Sequence, residues 1–116
     1  MPADLTVDEA IRLGSEHYQA GRLAEAEHFF SLILGVDPNH AQANHALGLI
    51  ALAFGKLDLA AELIVKAIQA QPAEPAFVNS LGEVHRAAKR IPMALECYER
   101  AISMHPGYVE DRKSVV

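Results

Sequence analysis

Residues 41–74 show the pattern that decides the fold, and they read AQANHALGLIALAFGKLDLAAELIVKAIQAQPAE. Gly55 interrupts the apolar pattern near the middle, at a place where a left-handed residue can end a helix. Pro72 ends the second pattern, because proline cannot continue a helix interior. The stretch therefore predicts two helices joined by a short turn. One face of the second helix carries residues at the helical spacing, namely Leu57, Ala60, Ile64, Ala67 and Ile68.

The same pattern occurs three times along the chain. Pro38, Pro72 and Pro106 follow one another at intervals of 34 residues. Such a fixed period is the signature of a repeat protein, in which each unit is one supersecondary element. In this register the other positions that coincide are Leu13-Gly14, Leu47-Gly48 and Leu81-Gly82; Leu23, Leu57 and Ile91; Ala26, Ala60 and Ala94; Phe30, Ile64 and Tyr98; and Leu34, Ile68 and Ile102.

Local signals place the ends of the helices. Thr6 and Glu9 have the spacing of a capping box, which starts a helix. Gly21 and Gly55 mark the turns inside the first two units, whereas Lys89 stands at this place in the third unit, so we expect a looser or differently shaped turn there. Pro92 falls in the first turn of the last helix, where a missing N–H does no harm. The predicted helices are 7–20, 23–36, 41–54, 57–70, 75–88 and 91–104.

The recurring small residues suggest a reason for the hairpin packing. A glycine on the first helix of each unit stands opposite an alanine on the second helix, so the two helices can approach closely. The large residues of the second helix then fill the sides of this contact. The expected pairs are Gly14 with Ala26, Gly48 with Ala60 and Gly82 with Ala94.

These residues resemble the tetratricopeptide repeat family, whose unit carries a Leu-Gly pair, a later small Ala, an aromatic residue and a terminal Pro at this spacing. The resemblance implies an all-α, right-handed helical-hairpin solenoid of three units with six antiparallel helices. It also implies one domain over residues 1–116, with repeats at 7–40, 41–74 and 75–108 and a tail at 109–116. The chain departs from the family pattern at the usual Trp place (Ala10, Asn44, Val78), at the usual Tyr place (His17, Ala51, His85) and at Ile33.

Composition narrows the classes of function. The chain has 116 residues, of which 51% are hydrophobic, and a net charge of -5. This charge argues against nucleic-acid binding, which needs clustered Lys and Arg. We expect no membrane insertion, since the longest apolar run is too short to span a bilayer.

The single cysteine, Cys97, cannot form a disulfide within the chain and fits a cytoplasmic setting. No metal-ligand spacing, catalytic motif or cofactor-binding motif is present, so we expect no enzyme activity, metal or cofactor.

The two ends of the array are expected to differ. The face that meets a preceding unit is apolar in the second and third units, but Glu9 and Glu16 occupy it in the first unit, as suits the start of a solenoid. At the other end, Cys97 and its neighbours would be exposed unless something covers them. Either the array continues in a longer protein, or this end pairs with itself or with a partner. The residues expected to meet a preceding unit are Ala43, Ile50, Phe54, Phe77 and Val84, and the self-association face is Tyr98, Ala101 and Ile102.

The family resemblance implies that the inner face of the first helices forms a concave groove. An apolar strip of Ile11, Leu49 and Leu52 runs along it, and these residues either anchor a partner segment or are simply shielded by the curvature. Lysine, asparagine and arginine, which family members use to hold chaperone tails, are replaced by Ile11, Ser15, Ala76 and Ser80. The asparagine ladder of arrays preceding O-linked N-acetylglucosamine transferases is also missing, at Arg12, Ala46 and Ser80. The predicted partner-binding residues are Ile11, Ser15, Tyr18, Gln19, Gln42, His45, Leu49, Leu52, Asn79, Glu83 and Arg86.

Three functions remain open from the sequence. The first is a non-catalytic scaffold that binds a peptide segment or partner protein in the concave groove. The second is the N-terminal targeting array of a larger enzyme, such as a bacterial glycosyltransferase. The third is a self-assembling structural module.

Overall fold

The computed structural model describes residues 1–104, which form six α-helices joined by short turns. The predicted boundaries are confirmed to within one residue at every helix end. Pro106, the end of the third predicted repeat and the tail at 109–116 lie outside the described residues. The helices are α1 (Val7–Gln19), α2 (Leu23–Val36), α3 (Ala41–Ala53), α4 (Leu57–Ala70), α5 (Pro75–Ala87) and α6 (Ile91–Met104).

The first helix begins with the predicted capping box. The backbone N–H of Glu9 donates to Oγ1 of Thr6 over 3.1 Å, and the N–H of Thr6 donates to Oε1 of Glu9 over 3.1 Å. These hydrogen bonds satisfy two backbone donors at the helix start. They also favour the charged carboxylate, and the pKa of Glu9 is therefore lowered.

All three hairpin turns have the same shape. Gly21, Gly55 and Lys89 adopt left-handed φ angles of 81°, 75° and 63°. In each turn the following residue donates its N–H to a carbonyl five positions back, as Arg90 does to His85 over 2.8 Å. The expectation of a different turn at Lys89 is therefore wrong. The repeated helix geometry imposes the left-handed conformation on this lysine despite its Cβ atom.

The helices pack as three antiparallel hairpins, α1 with α2, α3 with α4 and α5 with α6, and successive hairpins meet through α2–α3 and α4–α5. The glycine of each first helix lies directly under the large residue of the second helix. A Cβ atom on Gly14 would lie 2.9 Å from Cζ of Phe30, and one on Gly82 would lie 2.8 Å from Cε1 of Tyr98. The close approach of the two helices therefore depends on the glycine meeting this large residue.

The core joins one hairpin to the next. Ala43 and Ile50 of the second hairpin lie in one buried cluster with Phe30 of the first hairpin, and Val84 of the third hairpin lies in another with Ile64. Phe77 is buried with Ala41 and Ala67. These contacts confirm four of the five residues expected to meet a preceding unit. Phe54 is the exception, because it follows the last residue of α3 and is 54% exposed.

Candidate protein-binding groove

The first helices of the first two hairpins border an open recess of about 160 Å³. Apolar and uncharged polar side chains line it, and none of them carries a formal charge while His45 is neutral. We call it the apolar recess. Its lining residues are Ser15, Tyr18, Gln19, Phe30, Gln42, His45, Ala46 and Leu49.

Six residues that the sequence predicts for the groove meet in the apolar recess, and they are Ser15, Tyr18, Gln19, Gln42, His45 and Leu49. Phe30 and Ala46 also line it, although the sequence analysis does not place them there. Phe30 comes from α2 and is only 2% exposed. The glycine at position 14 could have predicted the place of Phe30, because a position without a side chain on α1 lets the ring of Phe30 reach across from α2.

His45 is held firmly at one wall of the apolar recess. Its Nε2 lies 2.8 Å from Oγ of Ser80 on α5, and its ring centre lies 4.6 Å from that of Phe77. Burial lowers the pKa of His45, while the nearby carboxylate of Glu74 acts in the opposite direction. A neutral imidazole therefore links α3 to α5 at this point of the groove.

Three predicted groove residues have structural contacts instead. Ile11 packs against the cluster between the first two hairpins, and Leu52 packs against the cluster around Ile64. Asn79 is 8% exposed and counts as buried. Of the predicted apolar strip, Leu49 lines the apolar recess, whereas Ile11 and Leu52 are half-buried outside it.

Glu83 and Arg86 lie on α5 and form an ion pair over 2.5 Å. The hydroxyl of Tyr98 donates to Oε1 of Glu83 over 3.1 Å. Hydrogen bonding to Glu83 raises the pKa of Arg86, whereas burial, followed by the bond to Glu83, raises the pKa of Tyr98. These groups form a polar cluster apart from the apolar recess.

A second recess of about 720 Å³ lies at the turns between the hairpins. We call it the acidic recess, because it contains the carboxylates of Asp37 and Glu74 but no lysine or arginine. Gln42 and His45 line both recesses, so the two lie next to each other. The sequence does not predict this recess, because its walls come from separate turns. The full set is Asp37, Asn39, His40, Ala41, Gln42, His45, Ala70, Gln71, Glu74, Ala76 and Phe77.

The predicted self-association face is only partly available. Ala101 is fully buried, so its expected exposure is wrong. The repeat-equivalent residues Ile33 and Ala67 are also fully buried. Tyr98 packs on Gly82, and Ile102 is half-buried.

Residues 1–104 contain no group of three His, Cys, Asp or Glu side chains arranged to hold a metal ion. Over the same residues, no helix combines the length and apolar character needed to cross a membrane.

Comparisons with known proteins agree with this architecture. The tetratricopeptide repeat family model matches residues 11–75 and again 45–109. Human tetratricopeptide repeat protein 7B is 29% identical over 84 residues, which are 72% of this chain and 10% of that protein. This chain thus spans about a tenth of the human relative.

Three solved structures share the fold. MamA has a TM-score of 0.84 at 22% identity, over 93% of this chain and 63% of that one. A mutant O-GlcNAc transferase of Thermobaculum terrenum has a TM-score of 0.86 at 24% identity, over 88% of this chain and 20% of that one. The first tetratricopeptide domain of Spaghetti (RPAP3), bound to the HSP90 peptide SRMEEVD, has a TM-score of 0.78 at 17% identity, over 90% of this chain and 86% of that one.

At these levels of identity the structural similarities show the fold alone. The 34-residue period, the six paired helices and the family model, which covers most of the chain, lead to the same assignment. This chain belongs to the tetratricopeptide repeat family.

Proposed function

We propose that this chain is a non-catalytic binding module that holds a segment of a partner protein in the groove formed by α1 and α3. The apolar recess is the observation that carries the proposal. It is open to solvent, it lies on the predicted inner face of the array, and it combines apolar side chains with uncharged hydrogen-bonding groups. Laying apolar anchors of a partner segment into a groove is a recurring mode of peptide recognition.

The side chains of the recess suit an apolar anchor. Tyr18 is 36% exposed and Leu49 is half-buried, so both retain apolar surface that a ligand side chain can cover. Burial of such surface contributes about 25 cal/mol per Å². Ser15, Gln19 and Gln42 offer hydrogen bonds at the rim, which orient a bound segment.

The known complex of the Spaghetti (RPAP3) domain with an HSP90 peptide supports this use of the fold, because that domain is matched over 86% of its length. The proposal does not extend to the same ligand. The side chains that the family uses to hold chaperone tails are replaced here, as at Ile11 and Ser15.

A cytoplasmic location is part of the proposal. It is supported by the one thiol of the chain, Cys97, which is free and partly buried. Fractionation of the source cells, with detection of the native chain, tests this location. Recovery of the chain outside the cytoplasm would contradict it.

Selection from a random peptide library tests the binding function. We expect this chain to enrich peptides that share an apolar residue, and Leu49→Glu to lower their affinity by about tenfold or more, because a carboxylate would be buried against the anchor. Leu59→Glu is the matched control, since Leu59 is 43% exposed on α4 and lines neither recess. Equal loss of binding in both variants, or no enriched peptides, would contradict the proposal.

A further inference from the structure

The acidic recess extends the proposed binding site in one direction. Because Gln42 and His45 form walls of both recesses, the two recesses adjoin, and a segment anchored in the apolar recess has room to extend along this shared wall toward the acidic recess. The charge of this second recess therefore acts on the residues that flank the anchor.

The two carboxylates of the acidic recess accept hydrogen bonds from the local backbone. Oδ1 of Asp37 accepts from the N–H of Asn39 over 3.3 Å, and Oε1 of Glu74 accepts from the N–H of Ala76 over 3.3 Å. Such bonds leave each group its negative charge and a second oxygen.

No cation of residues 1–104 neutralises these carboxylates. The ion pairs of this part of the chain are Arg12–Glu16 and Glu83–Arg86. Lys66 lines an adjoining recess with Asn39, yet it pairs with neither Asp37 nor Glu74. The acidic recess therefore keeps a negative potential that attracts a positive ligand group.

We infer that the groove selects a segment in which an apolar side chain is flanked by lysine or arginine, the apolar side chain entering the apolar recess and the cation entering the acidic recess. This inference rests on the proposed function. It gives the ligand a charge opposite to that of the acidic peptide SRMEEVD bound by the Spaghetti (RPAP3) domain.

Three synthetic heptapeptide pools with blocked termini test the inference. All pools carry a central leucine with neutral residues elsewhere, and both residues flanking the leucine are Lys, Gln or Glu. We expect the Lys pool to bind this chain about three to ten times more tightly than the Gln pool at low salt, as measured by fluorescence anisotropy. The difference should shrink at high salt, because ions screen exposed charges.

A double substitution identifies the charges responsible. Asp37→Asn with Glu74→Gln preserves the size of each side chain and one of its acceptor oxygens while removing the charge. This double variant should bring the Lys pool to the affinity of the Gln pool. Asp58→Asn with Glu62→Gln is the matched control, because it makes the same changes on the exposed face of α4 outside both recesses. This control should keep the preference for lysine.

The outcomes separate the inference from the proposed function. Equal binding of the three pools, with loss of binding in Leu49→Glu, would overturn the charge preference and leave the groove in place. Tightest binding of the Glu pool, or a lysine preference that survives the Asp37→Asn/Glu74→Gln change, would also overturn it. Failure of all pools to bind would remove the proposed function itself. The pool comparison uses the unaltered chain, so it stands even if a variant folds poorly.

Discussion

A Cβ atom on Gly48 would lie 2.6 Å from Cγ1 of Ile64, closer than any two such atoms can remain. It would also lie 3.3 Å from the backbone oxygen of Ala60. The contact joins α3 to α4 at the centre of the second hairpin, and Ile64 is fully buried there. The absence of a side chain at Gly48 therefore sets the distance between these two helices.

Gly48→Ala is expected to lower the free energy of unfolding. Overpacking at a tight contact costs about 1–3 kcal/mol, and the better helix propensity of alanine offsets up to about 1 kcal/mol. Gly35→Ala is the control, because Gly35 lies in α2 with no atom within 4 Å of the added Cβ. Urea unfolding should show Gly48→Ala less stable and Gly35→Ala equal or more stable than the parent. Equal stability of all three chains would remove the packing argument.

Lys89→Gly is expected to stabilise the third hairpin. Lys89 has a φ of 63°, a conformation that costs a residue with a Cβ atom about 1 kcal/mol. The reciprocal change, Gly55→Lys, should destabilise the chain by about the same amount, since Gly55 has a φ of 75° with open space around it. Thermal unfolding of the two variants measures both effects. Destabilisation by Lys89→Gly would contradict this prediction, because it would mean that the lysine side chain contributes more to stability than its left-handed backbone conformation costs.

The stability of the chain is expected to fall as the pH drops below about 6.5, the pKa of an unperturbed histidine. Burial lowers the pKa of His45 and of His85, and Arg90, whose Nε donates to Nδ1 of His85 over 3.1 Å, adds to the effect at His85. A lowered pKa in the folded state means that the unfolded chain binds protons more readily, so acid favours unfolding and the full stability is present above this pH.

Urea unfolding between about pH 7.5 and about pH 5.5, around the histidine pKa, checks this dependence. His45→Gln with His85→Asn should flatten it, whereas His28→Asn, at an exposed position of α2, should not. A slope that is unchanged in the double variant would assign the dependence to other groups.

Self-association through the predicted C-terminal face stays a prediction. We expect weak association that increases with protein concentration and disappears in Ile102→Lys, because Ile102 is the half-buried apolar residue of that face. Ile91→Lys is the control, since Ile91 is 48% exposed at the start of α6 and lies outside the face. Sedimentation velocity at several concentrations measures this. A monomer at all concentrations for the parent and for both variants would contradict the prediction.

The sequence predicts the helices well because the same pattern of proline, glycine and apolar positions occurs three times at a period of 34 residues. The proline and glycine positions mark the ends, and the capping box at Thr6 and Glu9 appears as expected. The turn at Lys89 is the informative failure. A single lysine suggested a different turn, but the packing of two regular helices determines the backbone conformation there.

The groove could be predicted only in part. A helix period identifies the residues of an inner face, yet small rotations decide which of them the next hairpin covers. Leu52 is half-buried against a cluster that includes Val84 of the next hairpin, and Asn79 on α5 is buried. Leu47 and Leu81 are likewise half-buried, against clusters that include residues of the preceding hairpin. The acidic recess could not be predicted, because turns distant in sequence form it.

The most direct test of the central claim is the NMR chemical-shift change of the backbone amides when a selected peptide is added to this chain. We expect the largest changes on α1 and α3, at Ser15, Tyr18, His45 and Leu49, and we expect Leu49→Glu to abolish them. The largest changes at exposed residues of α4 or α6, such as Leu59 and Leu95, with α1 and α3 unaffected, would contradict it.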